Sequence, residues 1–330
     1  MNQLPTITDY ANAIKTPQLV KANQLMGGFP VERNRKLIKY SGGFCVVFPY
    51  QTSNAKYAVR CWHANVSNAQ ERTRLISEAI QSSKLPYFVS FNYVSNGIVT
   101  AVGIQPIVVM DWVNAKTLKE YLKEYRHDAV ILNQLAESFK RMVSELHQHH
   151  FSHGDLQHGN IMVRTNGELV LVDYDSMCVP SLAGQKEEIK GLLGYQHPAR
   201  WKNNSLTEKA DYFSELVIYL SIKAIAKKPE LWEQLNLEDS ETLIFSADDI
   251  NSKGTTHIFN ELKTDNELNP YVTKICEYLQ KESIEELLPL EKATVSLTDS
   301  ITDKWKTGNG YKPKPKQDLT GLADSISNKW

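Results

Sequence analysis

Three oxygen-bearing side chains stand out by their spacing. In His153-Gly154-Asp155-Leu156-Gln157-His158-Gly159-Asn160 an Asp is followed five residues on by an Asn, and Asp173 comes thirteen residues later, in Asp173-Tyr174-Asp175. The segment between them, NIMVRTNGELVLVDYD, reads as a short two-stranded insertion, which brings all three onto one hairpin loop. Such a set suits phosphoryl transfer. Asp155 would accept the proton of an attacking hydroxyl, while Asn160 and Asp173 would hold magnesium on nucleotide phosphates. Magnesium prefers a few protein oxygens plus substrate phosphates to an all-protein cage. The histidine run HQHHFSHGDLQH lacks the HExxH spacing of a zinc site, so zinc is the minor reading there.

The elements that must position these residues fall into two halves. From Lys36 to Met110 the chain reads as strands, LIKYSGGFCVVFPY, KYAVRCW, YFVSFNYV and IVTAVGIQPIVVM, broken at QTSNA and SNG. A helix is expected from about Ser67 to Ser82, where Leu75, Ile76, Ala79 and Ile80 recur at helical spacing. After Thr117 the pattern is helical to about Pro289, apart from the insertion above. The expected class is therefore α+β with segregated halves, not an alternating parallel sheet.

Composition narrows the field further. With 330 residues, 42% apolar and 23% charged, the chain has the composition of a folded protein. Thirty-seven basic and 38 acidic side chains give a net charge of −1, so no overall field draws it to nucleic acid or anionic lipid. No apolar run approaches the ~18 residues of a membrane span, and the start lacks a signal-peptide profile, so a cytoplasmic protein is expected. Cys45, Cys61, Cys178 and Cys276 are scattered, without CxxC pairs, and are expected to be reduced thiols.

The spacing of Asp155, Asn160 and Asp173 resembles the catalytic loop and metal-binding motif of protein kinases. Other elements agree in order. Met110-Asp111-Trp112-Val113 stands where kinases have a gatekeeper and a hinge that pairs with adenine. Leu146-His147 precedes the loop at the expected distance. Gly191 to Ala199, GLLGYQHPA, is similar to the substrate-positioning segment that closes an activation loop. Asp211-Tyr-Phe-Ser-Glu-Leu resembles the helix whose buried Asp holds the catalytic loop's backbone. The resemblance covers roughly residues 30 to 290. It implies a two-lobed protein-kinase-like fold: an N-terminal extension (1–28), a strand-rich N-lobe (29–113), a helical C-lobe (114–294) and a tail (295–330). It also implies ATP and Mg2+ between the lobes, against Gly42, Gly43, Val47, Ala58, Arg60, Met110, Asp111, Val113, Met162 and Asp173. Asn160 and Asp173 would be the metal ligands, and Asp155, Asn160 and Arg60 the catalytic set.

Departures from the family pattern carry information too. Tyr57-Ala58-Val59-Arg60 puts Arg where the third strand of kinases carries Lys, replacing a point-like ammonium by a planar fork. The glycine-rich loop is reduced to Ser41-Gly42-Gly43-Phe44-Cys45. The helix carboxylate expected to pair with Arg60 is Glu71 or Glu78, which share a helix face. Gly154 replaces the Arg that precedes the catalytic Asp, removing the basic pocket that reads a phosphorylated activation loop. Gln157 stands where Ser/Thr kinases have Lys.

HGDLQHGN, VDYD, GYQHPAR and DYFSELVIYLSI together look like bacterial kinase-like proteins associated with von Willebrand A-domain proteins and metal-dependent phosphatases. That resemblance implies phosphotransfer to protein Ser or Thr in a signalling module. The partner would be a protein substrate or a regulator such as a phosphatase or a von Willebrand A-domain protein, with no nucleic acid and no membrane. The competing expectation is a pseudokinase scaffold that binds nucleotide and docks a partner through its tail. The tail carries a repeat, LTDSITDKW (297–305) and LADSISNKW (322–330), separated by a proline-lysine spacer that contains Lys312, Lys314 and Lys316. Each copy places Leu, Ile and Trp on one stripe of a short helix, as an intramolecular strap or a docking element.

Overall fold

The computed structural model describes residues 4–65, 68–202 and 204–293. The repeated tail, with Trp305 and Trp330, lies outside them. The N-terminal half opens with helix α1 (Ile7–Ile14), started by a capping box in which Thr6 and Asp9 exchange side-chain-to-backbone bonds. Four short strands follow: β1 (Phe29–Pro30), β2 (Glu32–Arg33), β3 (Lys36–Leu37) and β4 (Tyr40–Ser41). They lead into the long strands β5 (Cys45–Gln51), β6 (Lys56–Trp62), β7 (Phe91–Thr100) and β8 (Gly103–Asp111). Helix α2 (Ala69–Ser83) crosses between β6 and β7. The antiparallel sheet runs β1-β5-β6-β8-β7, with β4 pairing β5.

This sheet buries both faces. On one side Ile76 and Ile80 of α2 pack in the same core as Cys45, Trp62, Phe91, Val108 and Met110, and that core continues into the helical half. On the other, Tyr10, Ala13 and Ile14 of α1, with Val20, Ala22 and Leu25, cover Val46, Phe48, Val59, Ile98, Ile107 and Val109. The Tyr10 hydroxyl donates to the Trp62 carbonyl at 2.9 Å. Residues expected to form an extension are thus a second layer of the N-lobe.

The expected break at SNG is not a turn. β7 is one strand, and Ser95, Asn96 and Gly97 form an irregularity between the register pairs Val94↔Ile107 and Ile98↔Gln105. The cause lies opposite, at Pro106, which has no N–H to give the ladder. The Gly97 carbonyl instead accepts from Lys21 N at 2.8 Å, stitching the N-terminal layer to the sheet. The chain reverses at Ala101 and Val102, ahead of Gly103 (φ +116°).

Helices form the C-terminal half around α3 (Leu118–Tyr125), α4 (Ala129–Gln148) and α5 (Tyr212–Lys227). β9 (Lys116–Thr117), β10 (Ile161–Val163) and β11 (Leu169–Leu171) make a small antiparallel sheet beneath the cleft, in the order β11-β10-β9. Fourteen of the sixteen residues of α5 are buried, so this helix is the axis on which the others pack. Among the described residues no helix is long and apolar enough to cross a membrane. The segregated α+β, two-lobed architecture matches the expectation from sequence.

Gly97 tests the bulge. A Cβ there would lie 2.3 Å from Cγ1 of Ile107, so Gly97→Ala is expected to destabilise the fold by about 1–3 kcal/mol through overpacking, read by urea unfolding. An exposed hairpin turn would tolerate alanine with no change.

Candidate active site

The loop that carries Asp155 stands on a buried carboxylate. Asp211 precedes α5 but makes no capping bond to its own helix. Its side chain accepts instead from the backbone N–H of His153 and, at 3.0 Å, from that of Gly154. These amides make burial of the carboxylate affordable. His153 in turn donates through Nε2 to the Val172 carbonyl at 2.9 Å, tying the loop to the strand that leads to Asp173.

Gly154 has φ +78°, and a Cβ there would lie 2.1 Å from the Ser176 carbonyl oxygen. No L side chain fits, which is the physical reason the motif's arginine is missing here.

Asn160 is oriented by Asp155. Its Nδ2 donates to the Asp155 carbonyl at 2.9 Å and to Asp155 Oδ2 at 3.0 Å, which leaves the amide oxygen for a cation. The other carboxylate oxygen of Asp155, Oδ1, accepts from Leu192 N at 3.0 Å. Burial, with the nearby Asp173 charge adding to it, raises the Asp155 carboxyl above its ordinary value.

Asp173 has a left-handed backbone (φ +68°) and 44% of its side chain open to the cleft. Burial of the site pushes its carboxyl up, but the Arg60 guanidinium beside it prevails and the net shift is downward.

Arg60 departs from expectation. It lies on β6 opposite Val47 and Val108, with only 7% of its side chain exposed. Its Nη2 reaches Asp173 Oδ1 at 2.9 Å and also donates to Asp175 Oδ2. Neither Glu71 nor Glu78 touches it. Both pair with Arg74 on the outer surface of α2, at 2.7 and 2.6 Å, with more than half of each side chain in solvent.

Helical spacing explains this correction: Arg72, Ile76 and Ile80 make the inward stripe of α2, whereas Glu71, Arg74 and Glu78 make the outward one. The two glutamates do share a face, but it is the wet one. Arg72 Nη2 donates to the Asp175 carbonyl at 2.9 Å.

The remaining sequence-predicted residues converge on two adjoining cavities. One, of about 580 Å³, is lined by Val47, Ala58, Arg60, Met110, Asp111, Val113, Asn160, Met162 and Asp173. The other, of about 810 Å³, is lined by Gly42, Gly43, Arg60, Asp155, Asn160, Asp173 and Asp175. At the hinge, Asp111 N donates to Ser90 O and Trp112 N to Lys56 O, so Val113 is the next amide along the strand exit. Lys56 Nζ sits 3.8 Å from the centroid of the Trp112 ring, and the Tyr40 ring approaches the same indole at 6.4 Å, so Trp112 borders the cleft mouth and is not core. Gly42 N donates to Cys45 O at 2.9 Å, closing the tight turn between β4 and β5, and nothing lies within 4 Å of where a Gly43 Cβ would be.

Sequence reasoning missed how tightly Gly191–Ala199 seats against the loop. Gly191 (φ +78°) approaches so closely that a Cβ would be 2.6 Å from Asp155 Oδ1. The buried Tyr195 hydroxyl accepts from Leu243 N at 2.9 Å and donates to His158 Nδ1 at 2.7 Å. Burial brings His158 down to about 4, so its ring is neutral and can accept that proton. Behind them a fully buried pair, Arg200 with Glu187 at 2.5 Å, locks the segment. The glycines of GLLGY were the signal for close packing.

The family model for the protein kinase domain matches residues 41–294. The chain belongs to that family, whose domains are kinase-type phosphotransferases and generally use ATP and Mg2+. A search of curated proteins finds no match. The residues present fit both groups. Asn160 and Asp173 offer the oxygen donors magnesium prefers. Arg60 spends one terminal nitrogen, Nη2, on carboxylates and lines both cavities, so its guanidinium has further donors to offer an anion there. Among the described residues there is no cluster of three or more His, Cys, Asp or Glu that could hold a metal ion.

Gly154→Ala is expected to disturb this site more than any exposed glycine change, because both φ and the Ser176 carbonyl oppose it. Loss of stability beyond about 1 kcal/mol in unfolding is the expected outcome. A neutral effect would mean the loop can re-form without the close approach.

Proposed function

We propose that the chain transfers the terminal phosphoryl group of ATP to a Ser or Thr hydroxyl of a protein, itself or a partner, in a bacterial signalling module in the cytoplasm. The observation that carries this reading is the joint geometry of Asp155 and Asn160. One amide fixes the carboxylate and frees its own oxygen, beside an Asp173 that remains open to the cleft. Asp155 would accept the hydroxyl proton, Asn160 and Asp173 would hold magnesium, and Arg60 would orient phosphate oxygens through the rest of its fork. Bound magnesium supplies neutralisation of the phosphate charge. Gly191–Leu192, seated on Asp155, supports a peptide substrate presented beside the base. The resemblance of GYQHPAR and HGDLQHGN to kinase-like proteins linked to phosphatases and von Willebrand A-domain proteins supports a partner of that kind.

A second reading, a nucleotide-binding pseudokinase, is favoured by two contacts: Leu192 N caps the base, and Arg60 holds the metal-side carboxylate. Phosphate incorporation separates the two. Asp155→Asn preserves shape but cannot accept the proton, so transfer should fall about a hundredfold or more while ATP·Mg2+ still raises the melting temperature. Equal transfer by wild type and Asp155→Asn would sink the enzyme reading. Asp173→Ala should abolish the Mg2+-dependent part of ATP stabilisation, and an unchanged shift would remove the metal assignment.

Acid should also slow the reaction. The base works only when ionised, and burial raises the Asp155 carboxyl, so kcat/KM is expected to decline on acidification at a pH above the ordinary carboxylate range. A profile flat down to that range would exclude Asp155 as the base.

A further inference from the structure

Protein kinases need the cation of the third strand held in place before nucleotide arrives, and this chain does so with an unexpected residue. We infer that Asp175, two residues beyond the metal-side Asp173, is the positioning residue for Arg60, and that helix α2 has handed over this task. The inference deepens the phosphotransfer reading and rests on it for its kinetic consequences only.

Three observations carry it. First, Arg60 Nη2 donates to Asp175 Oδ2, and this carboxylate is enclosed, with 16% of its side chain exposed. The other partner, Asp173, is 44% open and free to serve a cation. The two carboxylates are therefore differentiated by exposure: one faces inward to the guanidinium, the other outward to the cleft.

Second, the carboxylates of α2 are spent elsewhere, because Glu71 and Glu78 both grip Arg74 on the solvent side. Third, α2 joins the same residue from its inward stripe with a cation, Arg72, which donates to the Asp175 carbonyl. The usual polarity of the strand-to-helix link is thereby reversed. The helix brings a positive group, the loop brings the negative one, and Asp175 ties β6 and α2 together through two different atoms.

An Arg at position 60 suits this arrangement. Both ion pairs use one terminal nitrogen of the fork, Nη2, and the residue lines the cleft. A planar five-donor group can keep one nitrogen on carboxylates while presenting another to phosphate, whereas an ammonium on a shorter arm offers a single point of charge. Position 175 and position 60 thus form a matched set, and the loop itself supplies the carboxylate that makes the arginine useful.

The test has one arm that reads the contact and one that reads its use. In urea unfolding of the full chain, Arg60→Met and Asp175→Asn should be strongly non-additive, with a coupling of at least tenfold in the unfolding constant. Arg60→Met with Glu78→Gln, or with Glu71→Gln, should be additive. Additivity of the Arg60–Asp175 pair, or coupling to either glutamate, overturns the inference whether or not the protein is active.

In phosphate transfer, Asp175→Asn should raise KM for ATP about tenfold or more, with a smaller loss of kcat, and Asp175→Glu should recover part of it. Glu71→Gln and Glu78→Gln should leave both constants within about twofold. An unchanged KM in Asp175→Asn would also overturn it. If the wild type neither binds nor uses ATP·Mg2+, the phosphotransfer reading fails, while the unfolding cycle still decides the role of Asp175.

Discussion

Asp211 takes its carboxylate out of water and gives it two backbone amides, those of His153 and Gly154, in exchange. A buried carboxylate with only one such partner would be costly, so the two amides must stay where they are. That single requirement fixes the level of the Asp155 loop on α5, the most buried helix among the described residues. From there the constraint spreads by contact. Gly154 lies against the Ser176 carbonyl, His153 reaches Val172, and the chain between those two carbonyls carries Asp173 and Asp175. The Asp155 loop, Asp173 and Asp175 are therefore registered against one another by buried side chains that bond fixed backbone groups.

Electrostatics in the cleft is a matter of distribution. Asp155, Asp173 and Asp175 bring three carboxylates together, and one guanidinium with one amide group organises them. Asn160 aligns Asp155, and Arg60 holds the other two. Burial raises Asp155, whereas for Asp173 the nearby guanidinium outweighs burial, so two carboxyls of one cleft differ in their readiness to ionise. In the proposed reaction, such divergence lets one carboxylate take the proton while the other stays charged.

Much of this was legible in the sequence because the relevant residues lie close together along the chain. The spacing of Asp155, Asn160 and Asp173 marks one loop, and Asp211 opens a strongly apolar helix whose role is fixed by its burial. Two features were not legible, for physical reasons. The partner of Arg60 is 115 residues away in the chain. Asp175 was visible in DYD, but the choice between Asp175 and a helix glutamate depends on the rotation of α2 about its axis. Leu75, Ile76, Ala79 and Ile80 locate the apolar side only broadly, and the difference between positions 71 and 72 decides whether a side chain meets water or the loop. The irregularity in β7 was read as a turn because Ser-Asn-Gly favours turns locally, whereas Pro106 on the facing strand shapes it from a distance.

The layer formed by α1 and the segment to Leu25 has a consequence for what counts as the domain. The match to the protein kinase domain model begins at Ser41, yet Val46, Phe48, Val59, Ile98, Ile107 and Val109, at most 1% exposed, are covered on one side by residues upstream of that point. The family match and the buried core thus draw different borders. A polypeptide beginning where the likeness begins would present a contiguous apolar sheet face to solvent, the kind of surface that drives self-association. The unit that folds is larger than the stretch the family model matches, and its first helix is as much a part of the buried core as the strands it shelters.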